Sequence, residues 1–241
     1  MHRRVFSRPG LALLALAVTL AGCVRQPVTA PAPDAAGVRA AYDHALRDAA
    51  TIEPDEVLEL KPVTGDSVTV VVWTAYRGYT PDTERQMDRL LWVTLEGEVR
   101  DSCRRFTPGS LTLRLQQLLG LPPKEEDRVF VLLRAASRDL VRPCGSPDTA
   151  SRSCPYPAVP GAWREDEQIL DELTRQTQGF PWTRLGYTFD WGSRVKEYGA
   201  SEYVIRKGAH VRVLSVHPTG AYCAVGAAPP QGPPESLVMR S

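Results

Sequence analysis

Ser67-Val68-Thr69-Val70-Val71-Val72-Trp73-Thr74-Ala75-Tyr76 is the stretch on which the fold turns. β-Branched and aromatic residues fill it, and both of its alternating faces are largely apolar. Such a strand is covered on two sides, which places it at the centre of a sheet. Working outward, Val57 to Val63, Leu90 to Val99 and Arg128 to Leu133 read as further strands. Four short strands are expected near the C-terminus, around 184–190, 202–206, 209–216 and 221–225. Lys207-Gly208 and Pro218-Thr219-Gly220 supply turns between them.

Helical periodicity occurs in three places. Asp34 can cap a helix over about 35–50 that puts Val38, Tyr42, Ala45, Leu46 and Ala49 on one face. Leu111 to Leu119 follows Pro108-Gly109-Ser110 and stops at Gly120. Arg164 to Gln178 turns Ile169, Leu170 and Leu173 inward and stops at Gly179. The pattern is α+β, a mainly antiparallel sheet with two or three flanking helices. One domain spans 34–226, and the proline-rich stretch 227–241 is expected to be a disordered tail.

The N-terminus has a different character. Arg3, Arg4 and Arg8 precede an apolar run from Leu11 to Leu20, followed by Ala21, Gly22 and Cys23. A basic region, a short apolar region and small residues before a cut make a secretory signal, and the run is short for a membrane span. Leu20-Ala21-Gly22-Cys23 resembles the lipobox of bacterial lipoprotein precursors. The resemblance implies a signal peptide over 1–22, acylation of the Cys23 thiol, and Cys23 as the mature N-terminus. Residues 23–33, with three prolines and no apolar period, read as a flexible tether to the membrane. Val24 replaces the aspartate that often retains such proteins at the inner membrane. The resemblance therefore implies anchoring in the cell envelope at the outer membrane, facing the periplasm. His2-Arg3-Arg4-Val5-Phe6 also resembles a twin-arginine signal, so general and twin-arginine export both stay open.

Without residues 1–22, 26 basic side chains face 28 acidic ones over 219 residues. That balance lacks the basic footprint of a nucleic-acid binder. Four cysteines remain after Cys23, an even number in an exported chain, and they read as two disulfides. Cys144–Cys154 would staple the proline-rich loop over 142–163. Cys103–Cys223 would tie the middle of the domain to its last strand. No C-x-x-C occurs and no histidine stands at ligand spacing from a cysteine, so neither a metal site nor a cofactor is assigned.

Two constellations are candidates for function. Leu185, Tyr187, Phe189 and Trp191 fall on one face of an expected strand, with Arg184, Thr188 and Asp190 on the other and Gly186 between them. They offer an aromatic platform for a sugar, a polar pocket that the bare Gly186 admits a ligand to, or simply a core face. Second, Tyr76-Arg77-Gly78 and Ser201-Glu202-Tyr203-Val204-Ile205-Arg206-Lys207-Gly208 resemble the first and last motifs of ADP-ribosyltransferases. The resemblance implies that Arg77 would hold a diphosphate and Glu202 would stabilise a ribosyl cation, with NAD as substrate. No Ser-Thr-Ser strand motif lies between them. Glu96 and Glu98 share a strand face near Asp101, an acidic edge. His210 and His217 are seven apart and so on opposite faces of their strand.

The candidate pocket is thus Arg77, Arg184, Tyr187, Asp190 and Glu202. The reading leans to a lipid-anchored envelope domain that binds or supports rather than catalyses. An envelope protein or a glycan is the expected partner, besides the membrane. An ADP-ribosyltransferase-like enzyme and a glycan-binding module are the alternatives.

Overall fold

The structure is a computed structural model that describes residues 34–193 and 195–224. The signal, Cys23, the tether and the tail lie outside the described residues. Eight strands form one antiparallel sheet: β1 (Ser67–Thr74), β2 (Thr83–Gln86), β3 (Leu91–Leu95), β4 (Val129–Ala136), β5 (Leu140–Val141), β6 (Tyr187–Phe189), β7 (Tyr198–Ile205) and β8 (His210–Pro218). Their order is β2-β8-β4-β1-β3-β7-β5, and β6 also pairs with β7. β1 is central, as its two apolar faces require. Five helices accompany the sheet among the described residues: α1 (Ala35–Asp48), α2 (Glu96–Cys103), α3 (Leu111–Leu118), α4 (Glu167–Gln176) and α5 (Thr219–Cys223). The fold is α+β.

The two sheet faces are closed differently. Val70, Val93, Val131, Leu133, Tyr203, Ile205, Val211 and Val213 meet in one buried cluster with no helical member. Val63, Met87 and Ala209 from the connecting segments complete this cluster and Tyr79 packs against it, so loops and not helices close this face. On the other face Val71, Trp73, Phe130 and Leu132 pack against Val99, Cys103, Leu115, Tyr222 and Cys223 from α2, α3 and α5. α4 covers a separate part of that same face, where Leu173 and Ile169 meet Trp92, Val141 and Val204. α1 packs Tyr42, Ala45 and Ala49 against Phe189 and Trp191. The Asp34 side chain accepts from the Gly37 N–H at 2.6 Å, as a cap should.

Several elements differ from the sequence reading. Val57 to Val63 is not a strand. Pro62 has no N–H to donate, and the backbone of the segment donates two bonds to the stapled loop, Leu60 N–H to Arg152 O and Val63 N–H to Thr149 O, three residues apart and with no ladder between them. The strand expected over Leu90 to Val99 stops at Leu95 and turns into α2. Glu96 and Glu98 are thus in the first turn of a helix and form no acidic strand edge. The strand expected at 221–225 is not formed over its described residues, 221–224, because Pro218 and Thr219 open α5; residue 225 lies outside the described residues. Tyr222 of α5 stacks on Phe130 with ring centroids 4.0 Å apart. Finally, β8 bulges opposite β4, where Leu132 pairs with Ser215 but Leu133 pairs with Val213. The extra residue reverses the alternation, so His210 and His217 share a face.

Both expected disulfides are present. Cys103–Cys223 joins α2 to α5, and Cys144–Cys154 staples the loop.

Candidate functional site

α2, α3 and α5 cover one part of the helix-bearing face and α4 covers another. Between them a strip of β1, β3 and β7 is left open. This strip is the floor of a cleft of 460 Å³. Strand register sets the floor in rows: Val71 pairs with Thr94 and Thr94 with Glu202, while Trp92 pairs with Val204. One wall is the turn after α3, Leu119-Gly120-Leu121. The other is the end of α4 with Phe180, Pro181 and Trp182. Gly120, at φ 64°, makes the turn that ends α3. Phe180 is 42% exposed at this wall.

The lining is apolar and rich in aromatic rings, and most of its polar groups are already engaged. The Trp92 indole donates to Gln176 Oε1 at 2.8 Å, the Trp182 indole to Pro143 O, and the Trp73 indole to Thr219 Oγ1. Thr188 Oγ1 donates to Leu118 O and accepts from Ala200 N–H. Thr177 Oγ1 donates to Leu173 O. Arg128 lies over the Trp73 ring, with Glu126 and Trp73 O as its partners.

Glu202 is different. Its backbone N–H bonds Gly186 O at 2.9 Å, which fixes the strand position. Its Oε2 is shut off from solvent and meets no donor. Burial alone pushes its carboxyl up to about 8, so at neutral pH the group is mostly the uncharged acid. Glu202 as a whole is half-buried, and Thr94, its cross-strand neighbour, is buried.

The other residues of the expected pocket are elsewhere, and Glu202 alone of the five lines the cleft. Arg77 is half-exposed and pairs with Asp127 at 2.5 Å. Arg184 has φ 59° and donates to Ala50 O at 2.7 Å, closing the chain after α1. Asp190 takes a two-pronged bond from Arg114, both contacts at 3.0 Å. Tyr187 is buried, its hydroxyl bonded to Glu56 O.

The expected alternation over 184–191 is also broken. Leu185 and Tyr187 enter one core cluster while Phe189 and Trp191 enter another. All four are buried, so the row presents no platform at the surface. Gly186 does not open a gap for a ligand. A Cβ there would lie 2.8 Å from Cys154 Sγ and 2.9 Å from Arg142 Cδ, so the protein itself fills the space.

Sequence reasoning named Glu202 but missed the cleft around it. Trp92, Trp182 and Phe180 come from separate elements, and nothing in their local spacing joins them. The chain matches no known protein family, no curated protein and no solved structure. Among the described residues no helix is long and apolar enough to cross a membrane.

Proposed function

We propose that this is a lipid-anchored protein of the bacterial cell envelope whose domain binds a small apolar molecule in the cleft. The observation that carries the reading is the cleft itself: 460 Å³, walled by tryptophan, phenylalanine and leucine, with its polar groups largely engaged inside the protein. Small-molecule sites are commonly about 300–1,000 Å³ and mostly apolar, with few polar groups to orient the ligand. The lining as described has no histidine, cysteine, serine or lysine; its hydroxyls are threonines, of which Thr177 and Thr188 are bonded to backbone carbonyls, and Glu202 is its one carboxyl. The electrostatic role that an ADP-ribosyltransferase-like reaction would give Glu202 needs a charged carboxylate, whereas burial favours the neutral acid here. These features support binding over catalysis. Attachment through Cys23 would hold the domain beside a membrane, where apolar molecules are concentrated.

The test uses N-phenyl-1-naphthylamine, a neutral probe that brightens in apolar surroundings. It is titrated into the mature chain, residues 23–241, carrying Cys23→Ser so that no detergent is needed. One saturable site is expected. Leu119→Trp, which places a bulkier side chain on the cleft wall, should weaken binding at least tenfold without lowering the melting temperature. Absence of saturable binding, or equal binding by Leu119→Trp, would overturn the reading.

A further inference from the structure

The cleft floor has a polar pair, and the protein leaves the carboxyl of that pair unpartnered. Glu202 and Thr94 face each other across β7 and β3 on the same side of the sheet. Among the described residues Glu202 Oε2 is enclosed and has no hydrogen-bond partner, and Thr94 beside it is buried. The other polar side chains around them are committed, the indoles to Gln176, Pro143 and Thr219. Arg128, the other ionisable residue lining the cleft, is held by Glu126 and by the Trp73 carbonyl through its two terminal nitrogens, while its Nε has no partner among the described residues. Glu98 of α2 is bound to Ser201, the residue before Glu202, and paired with Lys61.

A buried polar group without a partner is costly, and a ligand that satisfies it recovers that cost. Two ligand chemistries could do so. A cation would need Glu202 ionised, and the carboxylate would then sit in an apolar site with few donors for its remaining lone pairs. A neutral acceptor needs only the acid's O–H, and it keeps both partners uncharged.

We propose that Glu202, assisted by Thr94, is the recognition element of the cleft and selects uncharged apolar molecules that present a carbonyl-type hydrogen-bond acceptor. The proposal rests on the cleft being a ligand site. Arg128 lines the same cleft, but among the described residues no charged group contributes to the shift of the Glu202 carboxyl, and its rise to about 8 through burial agrees with a protonated donor.

The test compares three probes of one shape: 2-acetylnaphthalene, 2-ethylnaphthalene and 2-naphthylmethylammonium. Each displaces N-phenyl-1-naphthylamine from the mature Cys23→Ser chain. The readout is the ratio of ketone to hydrocarbon affinity, which cancels general apolar partitioning. Glu202→Leu should lower this ratio about three- to tenfold, the size of one net hydrogen bond. Raising the pH from 6.5 to 9.5 should lower it similarly in the parent, because the donor is lost as Glu202 ionises. Glu202→Gln keeps an N–H donor at every pH, so its ratio should stay constant over that range. An unchanged ratio in Glu202→Leu overturns the proposal and leaves the cleft reading intact. The same holds if the ammonium probe binds most tightly and gains affinity as pH rises from 6.5 to 8.5, the range over which it stays mostly a cation. If none of the three probes competes, the cleft reading fails and the proposal falls with it.

Discussion

A glutamate in the middle of a strand is usually a solvated residue, and burying one is costly unless its charge is paired or removed. Glu202 follows the second course. Its carboxyl is raised to about 8, whereas in the unfolded chain it would titrate in the ordinary carboxylate range near 4.5. Between these values the folded state holds a proton that the unfolded state has released, so stability falls as pH rises through that window. Glu202→Gln has no proton to lose. The variant should therefore be more stable than the parent by a margin that grows from about pH 4.5 to about pH 8, at up to about 1.4 kcal/mol per pH unit, and is level above. Urea unfolding at a series of pH values measures this, and a margin independent of pH would contradict it. Arg142 is the converse case, a fully buried cation whose guanidinium burial pulls below its usual value. One nitrogen, Nη2, donates to Lys61 O, Thr149 O and the Tyr203 hydroxyl, and the group lies over the Tyr203 ring. It thereby ties the stapled loop and the segment before β1 to β7.

Among the elements, the disulfides differ in what they constrain. Cys103–Cys223 spans 120 residues and Cys144–Cys154 spans 10. In the chain-entropy account the first contributes about 4–5 kcal/mol and the second about 3. Replacing both cysteines of the α2–α5 bridge by alanine should cost more in urea unfolding than the same change in the loop. The reverse order would show that native contacts, not loop closure, dominate. Long periodic elements were legible in the sequence: β1 and β4 from their apolar runs, and α1, α3 and α4 from helical spacing with clear end signals. The short ones were not. α2 follows β3 without a turn residue, and its first half continues the strand's alternation of apolar and acidic positions. Its helical signal was the Glu96–Arg100 pair at i,i+4, an ion pair that forms on the helix. α5 is too short for a period of its own, and its place is set by tertiary contact: Tyr222 on Phe130 and the Tyr222 hydroxyl on Glu96 O. The β8 bulge left no residue signal, so the relative facing of His210 and His217 could not be read. Of the candidate site, only Glu202 was legible, because a cleft is the gap left between elements and local patterns describe the elements alone.

At the scale of the whole molecule, the proposed anchor and the proposed binding belong together: a lipid attached at Cys23 would hold the cleft beside a membrane in which an apolar ligand dissolves. The anchor has its own test. In cells, Cys23→Ser should leave an unprocessed, unacylated chain that no longer partitions with detergent-phase lipoproteins, and unchanged partitioning and migration would remove the lipoprotein reading. The central claim is that the strip between α3 and α4 is where ligand enters. Methyl-labelled mature chain carrying Cys23→Ser, titrated with N-phenyl-1-naphthylamine and followed by NMR, tests it most directly. The account predicts saturable shifts at Val71, Leu90, Leu119 and Leu121, which line the cleft, with Leu133 and Val211 on the opposite sheet face unmoved. Shifts scattered over the surface, or saturable shifts that leave those four methyl-bearing residues untouched, would contradict it.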